Sequence, residues 1–292
     1  MNRPSAPWLD PAVEPAELSP VVLVAGGFLT TPGWYGPMAA ALRARGVADV
    51  VVARVFPPDW ILSAVRGIGP VTTRVGRALL EAGERSAAHP ASRGAPILYV
   101  GHSAGGIVGR LLTSPVPFEG RRLNASGRIG ELVTLGTPHL VSDEARWGRR
   151  VADAGARFAN RHVPGAFFAP TTAYLAVASR YVVGHDEAED GRSRFMHRLY
   201  EEVHPAPDEP IVAGDGLVPV ASALLPGAHH LVLSDAVHGP GVRDPWYGQD
   251  AQLDAWWPLA VELWRDALRA RRARRVDVLA SAATVATAAD EP

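Results

Sequence analysis

Short apolar runs recur along the chain, and each is long enough for one strand of a buried sheet. Most of them are continuous rather than alternating, which is typical of parallel strands that helices cover on both faces. They cover residues 21–25, 50–55, 97–100, 129–135, 174–183 and 230–233. The hydrophobic pattern therefore predicts a central sheet whose strands are spread over most of the chain.

Between these runs, apolar residues recur with the 3.6-residue period of an amphipathic helix. The pattern predicts helices over residues 34–45 and 69–83, and a third directly after Ser103. A last helix is predicted over residues 253–268, where Pro258 must start or kink it. Because strands alternate with helices, we expect a doubly wound α/β sheet, mostly parallel, with right-handed crossovers.

Several segments lack this periodicity. Residues 1–20, which contain five prolines, are expected to form an extended lead-in to a domain over residues 21–270. The periodicity weakens over residues 140–172, where we expect an insertion above the carboxyl end of the sheet, because functional loops grow there. The charged residues 187–210 are predicted to be a loop, and the alanine-rich residues 271–292 a frayed tail.

Composition narrows the class of protein. The chain has 292 residues, 47% of them hydrophobic and 20% charged, as is usual for a globular enzyme. A net charge of −1 argues against a nucleic-acid partner, which normally demands a basic excess. The absence of cysteine excludes disulfides, thiolate metal sites and a cysteine nucleophile.

Neither a signal peptide nor a membrane segment is expected. The first 20 residues contain no apolar core of a signal peptide, and no apolar run approaches the ~20 residues that span a bilayer. We therefore expect a cytoplasmic protein. Nothing in the sequence specifies an oligomeric state.

Ser103 lies between two glycines at the junction of a predicted strand and a predicted helix, in the sequence Gly-His-Ser-Ala-Gly. A turn this tight crowds the neighbouring backbone, so Gly101 and Gly105 need to lack a Cβ. The serine is then held in a strained conformation with its hydroxyl above the sheet. This pattern indicates a nucleophile elbow. His102 is expected to pack below the turn rather than to titrate.

A serine hydroxyl is a poor nucleophile near neutral pH, so it needs a base and a carboxylate that orients the base. In folds with such an elbow, the acid and then the histidine follow the serine along the chain. His238, just after the last predicted strand, is the expected base, and Asp215, in a Gly-Asp-Gly turn, is the expected acid. Asp235 is the rival acid, but it lies so close to His238 that one loop could hardly present both groups face to face.

The other histidines are expected to be structural or exposed. His139, at the end of a strand, is expected to make a structural hydrogen bond. His229 and His230 precede the last strand and should point away from the upper rim of the sheet. The histidines expected to be solvated are His89, His162, His185, His197 and His204.

Attack on a carbonyl carbon puts negative charge on the carbonyl oxygen, so hydrogen-bond donors must face that oxygen. One expected donor is the backbone N–H of Ala104, at the start of the helix that follows the serine. The other is the backbone N–H of Phe28, in the loop after the first strand, where Gly26 and Gly27 let the backbone approach a substrate. This chemistry needs no metal and no cofactor.

Five motifs, in this order along the chain, resemble the lipase-type branch of the α/β-hydrolase superfamily. They are Val24-Ala25-Gly26-Gly27-Phe28, Gly101-His102-Ser103-Ala104-Gly105-Gly106, Thr134-Leu135-Gly136-Thr137-Pro138-His139, Gly214-Asp215-Gly216-Leu217-Val218-Pro219 and His238. Two further motifs, Pro58-Asp59-Trp60 and Pro245-Trp246-Tyr247-Gly248, are similar to those of a lipase-like group of plants and cyanobacteria related to the inositol-deacylase-like lipases. One departure is Gly26, because many lipases carry a histidine before the oxyanion-hole glycine.

The resemblance implies an α/β-hydrolase fold, with a mostly parallel central sheet, helices on both faces and an inserted cap or lid-like segment. It also implies hydrolysis of a small-molecule or lipid ester through an acyl-enzyme, with Ser103 as nucleophile, His238 as base and Asp215 as acid. An acyltransferase or a thioesterase would use the same triad and remains an alternative. A non-catalytic binding protein is less favoured, because such proteins commonly lose a triad member and all three candidates are present.

Overall fold

The computed structural model describes residues 13–141, 150–203, 209–240 and 245–289 of the chain. Its strands are β1 (Val21–Ala25), β2 (Asp49–Val52), β3 (Ile97–His102), β4 (Ile129–Leu135), β5 (Ala173–Ser179), β6 (Val182–His185), β7 (Ile211–Gly214) and β8 (His229–Leu233). Six of them form one sheet in the order β2-β1-β3-β4-β5-β8, and all neighbours in it are parallel. The predicted parallel sheet is therefore confirmed, while β6 and β7 form a separate antiparallel pair.

Helices cover both faces of this sheet. The α-helices of the described residues are α1 (Gly36–Ala44), α2 (Pro57–Arg66), α3 (Gly69–Ala88), α4 (Ala104–Thr113), α5 (Arg150–His162), α6 (Gly191–Val203), α7 (Val220–Ala223) and α8 (Asp250–Ala289). Buried side chains of α3, α4 and α5 form one core cluster with one face of the sheet, and those of α1 and α8 form the second cluster with the other face. The continuous apolar strands follow from this arrangement, because both faces of the sheet are covered.

The strand order determines where the functional loops meet. From β1 the chain first adds β2 on one side and then β3 on the other, so the direction of winding reverses between β1 and β3. Loops at the carboxyl ends of these two strands diverge and leave a crevice, which is where open α/β sheets bind ligands. The loop after β1 carries Gly27, and the loop after β3 carries Ser103.

The prediction of a loop over residues 187–210 is wrong for α6, which spans Gly191–Val203. The buried side chains of this helix include Met196, Tyr200 and Val203, which recur at helical spacing, and Met196 and Tyr200 pack with Val212 of β7. The many charges on the solvent side of the helix hid this narrow apolar face. His204, which was expected to be solvated, belongs to residues 204–208, which lie outside the described part of the chain.

Two other segments also differ from the prediction. The apolar run over residues 174–183 is not one strand, because β5 ends at Ser179 and β6 begins at Val182. The sequence predicts no helix at α2, whose first two residues are prolines. Proline is tolerated in the first turn of a helix, and the Asp59 carboxylate accepts the Phe56 N–H at 2.9 Å and so caps this one.

The segment predicted as an insertion, residues 140–172, is described only in part, because residues 142–149 lie outside the described residues. Its helix α5 packs on α4, where a Cβ on Gly155 would lie 3.1 Å from Ile107 and 3.2 Å from Leu111. This helix therefore serves as the crossover between β4 and β5 on one face of the sheet.

The last helix is longer than predicted. It begins at Asp250, ahead of Pro258, and continues to Ala289, so it runs through most of the segment expected to be a frayed tail. Arg271 holds this extension against the sheet, since its buried guanidinium donates to backbone carbonyls that include those of Gly127 and Ile129, at 2.8 and 2.7 Å. Among the residues described, no helix has the length and apolarity to cross a membrane.

Candidate active site

The predicted elbow is a sharp turn between β3 and α4. Ser103 has φ 54° and ψ −127°, a backbone conformation that residues other than glycine rarely adopt. A Cβ on Gly101 would lie 2.5 Å from Gly106, and one on Gly105 would lie 2.2 Å from the carbonyl oxygen of Ala25. The turn can therefore form only with glycine on both sides of the strained serine. The chain has an α/β-hydrolase fold.

Ser103, His238 and Asp215 form one hydrogen-bonded chain. His238 Nε2 lies 2.9 Å from Ser103 Oγ, and His238 Nδ1 lies 2.8 Å from Asp215 Oδ2. An ionised carboxylate can only accept, so Nδ1 carries the ring proton and Nε2 is left to accept the serine proton. The backbone N–H of His238 also donates to the Asp215 carbonyl at 2.8 Å, which ties the two loops together. The arrangement can activate a hydroxyl for nucleophilic attack.

Asp215 is fully buried, and both oxygens of its carboxylate accept hydrogen bonds. The backbone N–H groups of Leu217 and Val218 donate to Oδ1 at 3.0 and 2.8 Å, and the Tyr247 hydroxyl donates to Oδ2 at 2.9 Å. Burial by itself raises the pKa of Asp215, but attraction to His238 and the hydrogen bonds from His238 and the backbone outweigh it and hold the pKa below its usual value. The carboxylate therefore stays charged beside the imidazole.

The rival carboxylate, Asp235, makes a different contact. Its Oδ2 accepts the side-chain amide of Gln252 at 2.9 Å, whereas His238 Nδ1 binds Asp215. The turn after β7 brings Asp215 beneath His238 from another part of the chain, so one loop does not have to present both groups. Of the two candidates, the structure places Asp215 next to the histidine.

The two expected oxyanion donors lie in backbone segments that meet at the serine. Ala104 is the first residue of α4, so its N–H has no partner within the helix and carries the positive end of the helix dipole. A Cβ on Gly27 would lie 2.8 Å from Ser103 Cβ, so the loop before Phe28 packs directly on the serine. In the described part of the chain, the N–H of Phe28 has no hydrogen-bond partner. Both expected donors therefore lie close to Ser103 along the backbone.

Exposed apolar side chains lie in two loops that carry residues of this site. Phe28 is 49% exposed and packs edge-on against buried Trp60, with ring centroids 5.5 Å apart. Leu29, next to Phe28, and Leu217, in the loop that carries Asp215, are also exposed. Side chains of this kind can pack on the apolar part of a ligand.

Three residues around the site make contacts that were not predicted from the sequence. The Tyr247 hydroxyl donates a hydrogen bond to Asp215. The Pro-Trp-Tyr-Gly motif, which contains Tyr247, was the feature of the sequence that could have indicated this contact. Tyr35 binds Gly27 and His102 from below, and no local pattern indicated it. His102 packs below the turn as expected, and it also contacts His238.

Two other histidines can be compared with their predictions. His139 is buried and its Nε2 lies 3.0 Å from Thr134 Oγ1, which is the structural hydrogen bond that was expected. His197 was expected to be solvated, and this is wrong, because it is 4% exposed and its Nε2 lies 2.8 Å from the carbonyl oxygen of Glu209. The error follows from the missed helix α6, on whose buried face His197 lies.

No protein-family model and no curated protein matches the chain. Among solved structures, it is similar to a dienelactone hydrolase from Anabaena variabilis, with 15% identity over 86% of this chain and 88% of that one and a TM-score of 0.40. It is similar to the thioesterase domain of the curacin biosynthetic pathway, with 15% identity over 84% and 90% and a TM-score of 0.40. Tomato methylketone synthase I has 10% identity over 83% and 96% and a TM-score of 0.38. These likenesses are too weak to carry an argument about function.

Proposed function

We propose that the protein is a serine hydrolase that cleaves carboxylic esters through an acyl-enzyme intermediate. The observation that carries the proposal is the hydrogen-bonded chain from Ser103 Oγ through the His238 ring to the Asp215 carboxylate. A hydroxyl, an imidazole and a buried carboxylate in this order are the parts that nucleophilic acyl transfer requires. The strained elbow supports the same conclusion, since strain of this kind persists mainly at functional sites.

In the proposed reaction, His238 Nε2 takes the hydroxyl proton as Ser103 Oγ attacks the ester carbon. The N–H groups of Phe28 and Ala104 stabilise the oxyanion, and Asp215 stabilises the imidazolium. The carbon–oxygen bond to the alcohol then breaks, and His238 gives its proton to the leaving alkoxide. A water molecule attacks the acyl-enzyme with the same base, which releases the acid and restores the serine hydroxyl.

The substrate class that we propose is a small-molecule or lipid ester with an apolar acyl group. The exposed Phe28 supports it, because the loop that carries this residue packs on Ser103 and its side chain can remove an acyl chain from water. We further propose a relationship to the lipase-like, inositol-deacylase-like group. The Pro245–Gly248 motif supports this relationship, since its Tyr247 hydroxyl hydrogen-bonds to the proposed catalytic acid.

The experiment compares the wild type with Ser103→Ala on p-nitrophenyl esters of short and long acyl chains. We expect the variant to lose at least about 10³-fold in kcat/KM, because the nucleophile is gone. Ser86→Ala is the matched control, since Ser86 is also buried but lies in α3 and hydrogen-bonds to the Ala95 carbonyl. Equal rates for Ser103→Ala and the wild type would refute the proposal.

The same triad could serve a thioesterase or an acyltransferase, so the assay includes two further arms. Acyl thioesters of matched chain length measure the preference for the leaving group. Added alcohol measures transfer, since an acyltransferase would form a new ester at the expense of free acid. A higher kcat/KM for the thioester would replace ester hydrolysis by thioesterase activity. A new ester as the main product would replace it by acyltransferase activity.

A further inference from the structure

A second hydrogen-bonded chain runs beneath the site and joins three of its loops. The backbone N–H of Gly27 donates to the Tyr35 hydroxyl at 2.9 Å, and that oxygen lies 2.8 Å from His102 Nδ1. On the other side of the ring, His102 Nε2 lies 2.5 Å from the backbone carbonyl oxygen of His238. The chain therefore connects the loop after β1, the elbow and the loop that carries the proposed base. The Tyr35 and His102 side chains are both buried.

Only one arrangement of protons satisfies this chain. A carbonyl oxygen can only accept, so His102 carries its proton on Nε2 and donates to His238. His102 Nδ1 is then an acceptor and takes the Tyr35 hydroxyl proton, which leaves the Tyr35 oxygen free to accept from Gly27. Thr30 Oγ1 lies 3.2 Å from the Tyr35 oxygen and donates its own proton to the Gly27 carbonyl at 2.8 Å, so it could only accept from Tyr35. In that case the Tyr35 oxygen and His102 Nδ1 would face each other as two acceptors 2.8 Å apart, so the Tyr35 proton goes to His102. Burial is the main reason that the pKa of His102 is lowered to about 3, so the ring stays neutral.

Close packing holds the Tyr35 and His102 rings of this hydrogen-bonded chain in place. A Cβ on Gly26 would lie 2.6 Å from the Tyr35 ring, so the tyrosine fills the space that a side chain at this position would need. The Trp246 ring packs edge-on against both Tyr35 and His102, at centroid distances of 5.8 and 5.7 Å. Where many lipases carry a histidine before the oxyanion-hole glycine, this chain has Gly26, and the support of the loop comes from Tyr35 below.

We propose that Tyr35 and His102 are positioning residues that hold the Phe28 oxyanion donor and the His238 base in one geometry relative to Ser103. Neither side chain hydrogen-bonds to Ser103 Oγ or to the ring nitrogens of His238, although the His102 and His238 rings pack with their centroids 5.0 Å apart. Tyr35 acts on Phe28 through the N–H of Gly27, the residue immediately before it, and His102 acts on His238 through its carbonyl. The proposal rests on the proposed esterase function and goes beyond it, because it assigns a common support to two parts of the machinery.

The expected effect of losing the link is on kcat. A misplacement of about 1 Å at a reacting group costs on the order of 10²-fold in rate, and an oxyanion donor is worth about 10²–10³. Tyr35→Phe removes only the hydroxyl and keeps the packed ring, so we expect kcat to fall about 10–100-fold with KM within about twofold. Tyr174→Phe is the matched control, since burial raises the pKa of both tyrosines to about 12 but Tyr174 lies on β5 and binds Phe168 N–H.

Variants of His102 separate positioning from simple packing. In His102→Gln the side-chain amide can still donate to the His238 carbonyl, whereas His102→Leu fills the space and donates nothing. We expect the glutamine variant to retain about tenfold more kcat than the leucine variant. The double variant Tyr35→Phe with His102→Gln should lose less than the product of the two single losses, because both residues act along one chain.

The exchange rate of the Gly27 amide proton tests the link without any substrate. We expect this N–H to be protected in the wild type and in Tyr174→Phe, and to exchange faster in Tyr35→Phe. An inactive wild type with this pattern would overturn the proposed function and leave the link established. An active wild type whose kcat is unchanged in Tyr35→Phe, or equal kcat for the two His102 variants, would overturn the positioning role alone.

Discussion

Glu131 is a buried acid whose carboxyl group has no hydrogen bond within the described part of the chain, and it should make the protein less stable as the pH rises. It lies in β4, one of the two central strands of the sheet, in register with Leu98 on one side and Ala173 on the other, and it is 0% exposed. Neither carboxyl oxygen has a hydrogen-bond partner among the described residues. Burial therefore raises the pKa of Glu131 well above its usual value, and the folded protein holds it as a neutral acid.

The direction of the pH effect follows from the two states. The unfolded chain releases the Glu131 proton at the usual glutamate pKa, while the folded chain retains it to higher pH. Between these two pKa values the folded state binds more protons, so the free energy of unfolding falls as the pH rises. Below the usual glutamate pKa the carboxyl is protonated in both states, and this contribution to the pH dependence vanishes.

Glu131→Leu should therefore stabilise the protein, and more so at alkaline pH. Removing a buried polar group without a partner is worth about 1–3 kcal/mol. At about 2–4 °C per kcal/mol for a large domain, Tm should rise by about 2–12 °C. Glu131→Gln is the matched control, since its amide stays unsatisfied but cannot ionise. It should lose the pH dependence caused by Glu131 and gain less stability than the leucine variant.

The assay is urea unfolding of the three proteins between pH 5 and pH 8. All other titratable groups are common to the three proteins, so their contribution cancels in the differences. We expect the gap between Glu131→Leu and the wild type to widen as the pH rises. A gap that stays constant from pH 5 to pH 8, or a leucine variant that is less stable at pH 8, would show that Glu131 has a partner or ionises freely in the folded state.

Four further substitutions test the site. Asp215→Asn should lower kcat on a p-nitrophenyl ester by about 10⁴-fold, because it removes the charge that orients the histidine. Asp235→Asn should stay within about threefold of the wild-type kcat, and a larger loss in it than in Asp215→Asn would reverse the choice of acid. Tyr247→Phe removes one donor to the charged Asp215 and should cost about tenfold in kcat, with an unchanged rate contradicting its support of the acid. Gly105→Ala should unfold at a Tm lower than wild type by at least about 5 °C, because its Cβ would lie 2.2 Å from the Ala25 carbonyl oxygen; an unchanged melting curve would mean that the elbow can relax.

The proposed site combines two supports of different kinds. Asp215 is held by two backbone N–H groups and Tyr247, all within the loops that follow the later strands. Ser103 and the proposed oxyanion donors are held by the close packing of the glycines around the serine. Tyr35 and His102 connect these halves, so a disturbance on one side should reach the other through hydrogen bonds rather than through the substrate.

The sequence by itself determined the parallel sheet and the elbow. Continuous apolar runs can be buried on both faces only in a sheet covered by helices, and glycines on either side of Ser103 allow a turn that other residues would block. Both signals are local, since each depends on a few adjacent residues. The helices α2 and α6 were not predicted, because prolines begin α2 and many charged residues lie in α6. Capping makes the first segment helical, and packing of a narrow apolar face makes the second one helical.

Tertiary structure alone decided which groups meet across long sequence separations. The spacing of residues left Asp215 and Asp235 as competing acids, and only the path of the turn after β7 brings one of them to His238. The same holds for Tyr35, whose contacts with Gly27 and His102 depend on how the segment before α1 packs under the sheet's switch point. The hydrophobic periodicity of the sequence does not predict such contacts. They form where loops that follow different strands meet in the folded protein.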